Sequence, residues 1–381
     1  MPDTPPSLQR TSPTEKIGRS RARRGNLLLW LASISTLLIC IETGLRLTDL
    51  APISTLAYPD EQTWASSPGP FAPNQDFVDR LRPDLPHRIR INSLGFRGHA
   101  FAFEKPAGHR RILCLGDTYT FGAYVNDDET FPAALERKLR QIDSGWPTEV
   151  INAGVTGYTI ADEAALAEEN GFALSPDIVI VGFAMNDLPD LARKISARDS
   201  QRLAAARISH SPLTPVRTLL MHTATYNFLF ALKASLLGRL HLDPAMHEAQ
   251  TRRFLSPPFD ERSEILFEAY RSALLNLNDA ALKRGCRLLL VLFPLYEQAV
   301  SGTPAEAQAR LMRMAEAAGI PAVDLLPAFR AAGARAAKMF LVPLDHHPSA
   351  AGHRLAAREV SRFVVAEMAG AARPAGVQAP R

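Results

Sequence analysis

The stretch Ile112-Leu113-Cys114-Leu115-Gly116-Asp117-Thr118-Tyr119-Thr120-Phe121-Gly122 decides how the rest of the chain is interpreted. It begins with an apolar run, as in a strand that is buried on both faces of a parallel sheet. Gly116, Asp117 and Thr118 then indicate a tight turn into a helix. A hydroxyl group here lies at the carboxyl edge of the sheet, where open α/β folds bind ligands. An ordinary strand-to-helix turn with a capping Asp or Thr has the same pattern, so both interpretations stay open.

The chain from residue 110 onward alternates short apolar segments with amphipathic ones. Strands are predicted near 111–115, 148–152, 177–183, 286–292 and 321–325. Helices are predicted near 129–142, 160–172, 262–284, 304–318 and 349–368. This alternation is typical of βαβ units, which build a parallel sheet with right-handed crossovers. The sequence has neither a GxGxxG nor a GxxxxGK[ST] motif, so no nucleotide and no other cofactor is expected.

Composition and charge are those of a globular protein, with 46% apolar and 22% charged residues among 381. The net charge of +4 comes from residues 1–25, which contain six basic side chains and two acidic ones, Asp3 and Glu15. The remainder sums to zero, which gives no support for a nucleic-acid partner. The three cysteines (Cys40, Cys114 and Cys286) lie in apolar segments and are expected to be buried thiols, without a disulfide framework or metal cluster.

The amino-terminal segment predicts a membrane anchor. A basic tail at 1–25 precedes an apolar helix at 26–48, which reaches spanning length if Glu42 and Arg46 lie near the far interface. A cleaved signal peptide is the alternative, but no convincing small-x-small cleavage site follows directly. Both interpretations place the chain after residue 48 outside the cytoplasm, which is the periplasm in a Gram-negative cell.

The segment 49–109 is Pro-rich and is expected to be a juxtamembrane linker that docks on the domain. Within it, Arg88 to Gly98 predicts an edge strand and turn. Arg97 lies either near the active site or, in the interpretation we favour, on the surface of a structural turn. An insertion at about 188–261 has an amphipathic middle at 219–242, which predicts a lid, a helix on the membrane surface or simple packing against the domain. Residues 370–381 are expected to be disordered.

Three further strand ends carry polar groups. Val150-Ile-Asn-Ala-Gly154 leads into a Gly-bearing loop, where a backbone N–H can approach a ligand. Ile178-Val-Ile-Val-Gly-Phe-Ala-Met-Asn186-Asp187 ends in an exposed amide. Asp345-His346-His347-Pro348 precedes the last helix. Together with His353 these last residues could bind a metal, but no Cys or second carboxylate joins them and His353 falls inside a helix, so no metal is expected.

These four segments, in this order, resemble the four sequence blocks of the SGNH (GDSL-type) hydrolase superfamily, over residues 110–369. Asn92-Ser93-Leu94-Gly95 and Glu42-x-Gly-x-Arg46 are also similar to membrane-anchored members. The resemblance implies a three-layer α/β/α, flavodoxin-like fold with a five-stranded parallel sheet, plus the transmembrane helix. The substrate that the resemblance implies is an acyl ester, in which a glycan is expected to carry the acyl group.

The resemblance also implies roles for particular residues. Thr118 is the expected nucleophile, His347 the general base and Asp345 the group that orients the imidazole. His347 is preferred to His346 because the family's base directly precedes the Pro. The expected oxyanion hole comprises the backbone N–H groups of Thr118 and Gly154 and the side chain of Asn186. Motif-supporting residues are Gly116, Asp117 and Asp187, the last of which is expected to orient the Asn186 loop.

The sequence departs from the family pattern at the nucleophile, which is Thr118 where the family has Ser. The added methyl group restricts χ1 and crowds the attacking face. Ala184 replaces a Gly, and Leu344 stands where the family's Asp usually does, so Asp345 has to serve. We therefore expect an ester hydrolase or O-acyltransferase that acts on acylated envelope carbohydrate or lipid, with a catalytically degenerate carbohydrate-binding protein as the alternative.

Overall fold

The computed structural model describes residues 13–48, 67–79, 84–142, 147–192, 257–302 and 304–371, with the short pieces 56, 82, 194, 223–226, 228–229 and 232. The chain divides into two compact units. The first consists of Met1–Ile53 and Pro212–Ala231, and the second of Ser54–Ser211 and Leu232–Arg381. Residues 372–381 of the predicted tail, most of the insertion, and residues 1–12 of the basic segment lie outside the described residues, whereas residues 370 and 371 belong to the last helix.

The first unit is built on the long helix α1 (Pro13–Leu47). Its part Leu29–Leu47 is long and apolar enough to cross a membrane, although a signal sequence passes the same test. Trp30 and the leucines around it are exposed. Near the end of the helix, Arg46 forms an ion pair with Glu42. The carboxylate of Glu42 also accepts the backbone N–H groups of Ala224 and Thr225, at 2.8 and 3.0 Å.

The second unit contains two sheets. Strands β1 (Gln75–Asp79) and β2 (His87–Ile91) form an antiparallel pair. The main sheet consists of β3 (Arg110–Gly116), β4 (Thr148–Asn152), β5 (Ile178–Phe183), β6 (Arg287–Leu292) and β7 (Ala322–Asp324). Its strands are parallel, in the order β4-β3-β5-β6-β7. This is the flavodoxin-like order, in which the direction of winding changes at the first strand, here β3.

Helices cover both faces of this sheet. In chain order they are α2 (Thr118–Phe121), α3 (Phe131–Gln141), α4 (Ile160–Glu169), α5 (Glu261–Leu282), α6 (Tyr296–Val300), α7 (Glu306–Ala317), α8 (Leu326–Ala331) and α9 (Ala350–Ala371). Leu113 and Leu115 of β3 belong to the core that includes buried residues of α4, α5 and α7. Ile112 and Cys114 face the core of α3, α8 and α9. Alternate residues of β3 therefore pack into two different cores, because successive side chains of a strand point to opposite faces of the sheet.

The predicted α/β fold with a five-stranded parallel sheet is confirmed, and the strand boundaries agree to within one residue. The helices α6 and α8 were not predicted, because five or six residues are too few to show a helical period. The strand expected in the Pro-rich segment is β2, and its partner is β1.

Arg97 corrects an expectation, because its side chain is buried and not on the surface. The residue is 3% exposed, and its Nε donates to Asp127 Oδ1 at 3.0 Å. Its Nη1 donates to the carbonyls of Phe121 (2.9 Å) and Gly122 (2.8 Å), and its Nη2 to that of Val125 (2.7 Å). The sequence pattern of an exposed turn hid this role. Arg97 holds the chain that directly follows α2.

Candidate active site

The end of β3 is shaped by two unusual backbone positions. Gly116 has φ +151°, and a Cβ built there would lie 2.1 Å from Thr120 Oγ1. Asp117 caps α2, because its Oδ1 accepts the N–H of Tyr119 at 2.9 Å. Gly122 ends the helix in the left-handed region, at φ +89°. Thr118 is therefore the first residue of a helix that begins at the carboxyl end of the strand between β4 and β5.

The structure brings Thr118, His347 and Asp345 together. Thr118 Oγ1 lies 3.1 Å from His347 Nε2. On the other side of the ring, His347 Nδ1 lies 2.5 Å from Asp345 Oδ1. The same oxygen also accepts the backbone N–H of His347, at 2.8 Å. The three side chains therefore form a continuous hydrogen-bonded series, in the sequence that nucleophile, base and orienting carboxylate require.

A tight turn makes the short Asp-x-His spacing workable. The N–H groups of Leu344 and Asp345 donate to the carbonyl of Leu341, and the N–H of Leu341 donates to the carbonyl of His347. The side chain of Asp345 thus accepts a hydrogen bond from the backbone N–H of His347, two positions later. Asp side chains commonly form this bond in turns. A spacing of two residues is therefore sufficient for this contact.

The electrostatics of the pair have opposing contributions. Burial by itself raises the pKa of Asp345, but the charge and hydrogen bonds of His347, with help from Arg82, lower it to about 2. Burial by itself lowers the pKa of His347, yet the net effect is a raised pKa because Asp345 stabilises the imidazolium form. Asp345 is therefore a carboxylate at neutral pH, and His347 is the proton acceptor whose charge it can balance.

The expected oxyanion donors differ in whether they already donate a hydrogen bond within the protein. The N–H of Thr118 is the first of a helix and has no intrahelical acceptor. The N–H of Gly154 donates to the side-chain oxygen of Asn152, at 3.0 Å. Asn186 Nδ2 donates to Asp117 Oδ2 at 2.7 Å. To stabilise an oxyanion, Gly154 has to release or share its single N–H. Asn186 Nδ2 has two hydrogens, and the one that is not on Asp117 faces Asp190 Oδ2 at 3.5 Å. The role of both residues in an oxyanion hole stays a prediction.

The supporting residues lie directly behind the nucleophile. Asp117 Oδ2 is 3.1 Å from Thr118 Oγ1, so the hydroxyl has two possible acceptors, this carboxylate and His347. Asp187 Oδ2 accepts the N–H of Ala184 at 3.1 Å, a bond that closes the loop around Asn186. Asp187 is buried, and this burial raises its pKa well above the ordinary value.

His346 and His353 lie in different environments from His347. His346 Nδ1 pairs with Glu297 at 2.7 Å. His353 is fully buried, and neither of its ring nitrogens has a hydrogen-bond partner. Within the described part of the chain, no group of three or more His, Cys, Asp or Glu side chains is placed to hold a metal ion.

The structure adds three residues that the sequence did not single out: Arg82, Tyr124 and Glu297. Arg82 Nη1 lies 3.5 Å from Asp345 Oδ2. The ring of Tyr124 stands edge-on to that of His347, with centroids 5.6 Å apart. Tyr124 has φ +62°, an uncommon value for a bulky residue. None of the three belongs to a recognisable motif, and Arg82 lies in the Pro-rich segment, so only the fold reveals their proximity.

Comparisons with known proteins were made for the whole chain. A search of curated protein sequences finds no match. Similar solved structures include a putative lipolytic protein of the G-D-S-L family from Desulfitobacterium hafniense, with 15% identity and a TM-score of 0.39 over 67% of this chain and 99% of that one. A two-domain esterase active on acetylated mannans has 18% identity and a TM-score of 0.41, over 72% and 52%. An acetylxylan esterase from Geobacillus stearothermophilus has 18% identity and a TM-score of 0.40, over 67% and 94%.

The family model of the GDSL-like lipases and acylhydrolases matches residues 114–355, which is more than half of the chain. The match begins within β3 and extends into α9, so it spans both the threonine turn and the Asp-x-His turn. The chain belongs to the GDSL-like lipase/acylhydrolase family, a family of ester hydrolases.

Proposed function

We propose that this chain hydrolyses or transfers an O-acyl group on an envelope carbohydrate or lipid, with Thr118, His347 and Asp345 as its catalytic residues. The observation that carries the proposal is the series of contacts from Thr118 Oγ1 through the imidazole of His347 to Asp345. A hydroxyl, a base and an orienting carboxylate in contact are the parts that acyl transfer needs.

In the proposed first step Thr118 Oγ1 attacks the acyl carbonyl carbon, and its proton passes to His347 Nε2. The tetrahedral intermediate then expels the alcohol oxygen, which takes that proton from His347, and the acyl group remains esterified to Thr118. In the second step water or a sugar hydroxyl attacks the acyl-threonine and gives its proton to His347. Breaking the Thr118 ester returns the proton to the threonine oxygen, and the product is a free acid or a new ester.

The amino-terminal helix is the basis for the proposed cellular location. We infer that Leu29–Leu47 anchors the protein as an uncleaved single-pass span and that the family domain lies outside the cytoplasm. Acylated glycans and lipids are the esters that an enzyme at this location can reach. The division into a tail (1–25), an anchor (26–48), a linker (49–109) and a catalytic domain (110–369) is part of this proposal.

A second candidate function is carbohydrate binding without catalysis. It is favoured by the hydrogen bond that occupies the single N–H of Gly154, and by the two carboxylates that Asn186 Nδ2 faces, Asp117 at 2.7 Å and Asp190 at 3.5 Å. The threonine methyl group, which crowds the attacking face, points the same way.

The test compares the wild type with Thr118→Ser and Thr118→Ala on 4-nitrophenyl acetate. If Thr118 is the nucleophile, the wild type and the Ser variant turn over, and the Ala variant loses at least ~10³-fold in kcat/KM. If only the Ser variant turns over, the natural protein is not a catalyst of this class and the binding function is preferred. Release of free acetate in the presence of an oligosaccharide indicates a hydrolase, whereas an acetylated oligosaccharide indicates a transferase.

A further inference from the structure

Arg82 lies in the segment before the matched family region, yet its side chain reaches the Asp-x-His turn. Its exposed fraction is 6%, so the guanidinium is removed from water. Nη2 donates to the carbonyl of Leu344 at 2.8 Å. Nη1 lies 3.5 Å from Asp345 Oδ2. The two contacts fall on consecutive residues of the turn and come from different nitrogens of one planar guanidinium, a fork that lysine lacks.

The two oxygens of Asp345 are thereby divided between two partners. Oδ1 takes the imidazole and the backbone N–H of His347. Oδ2 faces Arg82. The hydrogen bonds on Oδ1 and the ion pair on Oδ2 both oppose rotation of the carboxylate away from the imidazole. We propose that Arg82 is a positioning residue for the Asp345–His347 pair, and that the segment before the family domain is therefore part of the candidate active site.

The remaining contacts of Arg82 fix its direction. Asp84 holds it from the same segment, with both carboxylate oxygens at 3.2 Å from Nε and Nη2. The guanidinium carbon lies 5.8 Å from the centre of the Tyr124 ring, and that ring touches His347. Arg82 is thus held by one carboxylate while it faces a second one, which is how a side chain is set at a defined position.

Arg82 also acts on His347 by charge. A guanidinium near the ring disfavours the imidazolium, and so it opposes the effect of Asp345 on the pKa of His347. The titratable and charged groups that face His347 from the elements around it are Asp345, Asp117, Arg82, Tyr119, Tyr124 and His353. Of these, Arg82 alone comes from outside the matched family region.

The inference rests on the proposed function, but its test does not need turnover. The Cε1–H resonance of His347 in the full-length protein is assigned with His347→Gln and titrated by NMR in three variants. We expect Arg82→Lys, which keeps the positive charge but not the fork, to lower the pKa of His347, because Asp345 is then held less firmly against the imidazole. Arg82→Gln also removes a positive charge, which by itself raises the pKa of His347, so the Lys variant isolates positioning. Arg88→Gln is the matched control, since Arg88 is exposed and pairs with Asp76. If Arg82→Lys titrates like Arg88→Gln, the proposal is overturned.

Kinetics on an acetyl ester give the second readout. We expect Arg82→Gln to lose about 10- to 100-fold in kcat with little change in KM, because a displacement of ~1 Å of a catalytic group can cost about 100-fold. Arg82→Lys keeps the charge and loses the fork, so a lowered kcat together with a lowered pKa of His347 supports positioning. If Arg82→Gln does not fold, wild-type kcat in Arg82→Lys overturns the proposal. A wild type without esterase activity removes the proposed function and leaves the titration to decide on Arg82.

Discussion

The hydroxyl of Thr118 lies at equal distance, 3.1 Å, from two groups of different chemistry. Its single proton can point to His347 Nε2 or to Asp117 Oδ2. Only the first arrangement passes the proton to the proposed general base, and Asp117 already accepts the amide of Asn186. A β-branched residue has few χ1 states, so the neighbouring groups decide which partner the oxygen meets. The restricted χ1 angle is the difference between threonine and serine at this position.

His353 gives a residue-scale prediction about stability. Burial lowers its pKa to about 3, whereas in the unfolded chain it titrates near 6.5. As the pH falls below 6.5 the unfolded state binds a proton that the folded state refuses, so stability is lost between pH 6.5 and about 3. We expect His353→Leu to remove this loss, which amounts to a few kcal/mol. Urea unfolding at pH 7, 6, 5 and 4 measures the free energy of unfolding for both proteins.

The control for His353 is Leu282→Gln, since Leu282 is exposed and carries no titratable group. Its unfolding free energy should follow the wild type across the same pH range. Equal pH slopes for the wild type and His353→Leu would contradict the account, because they would mean that the folded protein accepts the proton.

At the scale of elements, the loop after β4 and the helix α2 are in direct backbone contact. A Cβ built at Gly154 would lie 2.3 Å from the amide nitrogen of Phe121. Atoms this close have to separate, so Gly154→Ala displaces α2 and with it Thr118. We expect a loss of about 1–3 kcal/mol in the free energy of unfolding, as for other overpacked sites. A loss of about 100-fold in kcat/KM should accompany it.

Thr156→Ala is the matched control for this contact, because Thr156 is exposed in the same loop. Urea unfolding and ester hydrolysis are measured on both variants. Wild-type stability and activity in Gly154→Ala would show that the loop can move away without carrying the helix with it.

The elements that could be predicted from the sequence are those whose signal is local. β3, β5 and β6 are continuous apolar runs, and the polar ends of β3, β4 and β5 located the edge of the sheet. Arg97 and Arg82 could not be predicted, because a buried arginine and an exposed one look alike in sequence. Their partners are carbonyls and carboxylates that only the fold brings within reach. The occupied donors at Gly154 and Asn186 were equally invisible, since motifs specify residue types and not hydrogen bonds.

For the whole molecule, the prediction concerns the amino-terminal helix. If Leu29–Leu47 is an uncleaved anchor, the protein stays in the membrane fraction after extraction with alkaline carbonate and leaves it only with detergent. Mass spectrometry should then find the basic residues before position 26 still attached. A soluble product that begins beyond residue 48 would identify the helix as a cleaved signal peptide. The control is a variant with Leu37 and Leu38 replaced by Asp, which shortens the apolar stretch.

The chain enters the unit of α1 twice, once at Met1–Ile53 and again at Pro212–Ala231. Within that unit the carboxylate of Glu42 holds the amides of Ala224 and Thr225. The family domain is therefore linked to α1 in two ways, through the backbone and through the hydrogen bonds of Glu42 with Ala224 and Thr225. Release of the domain from the helix would require both links to be broken.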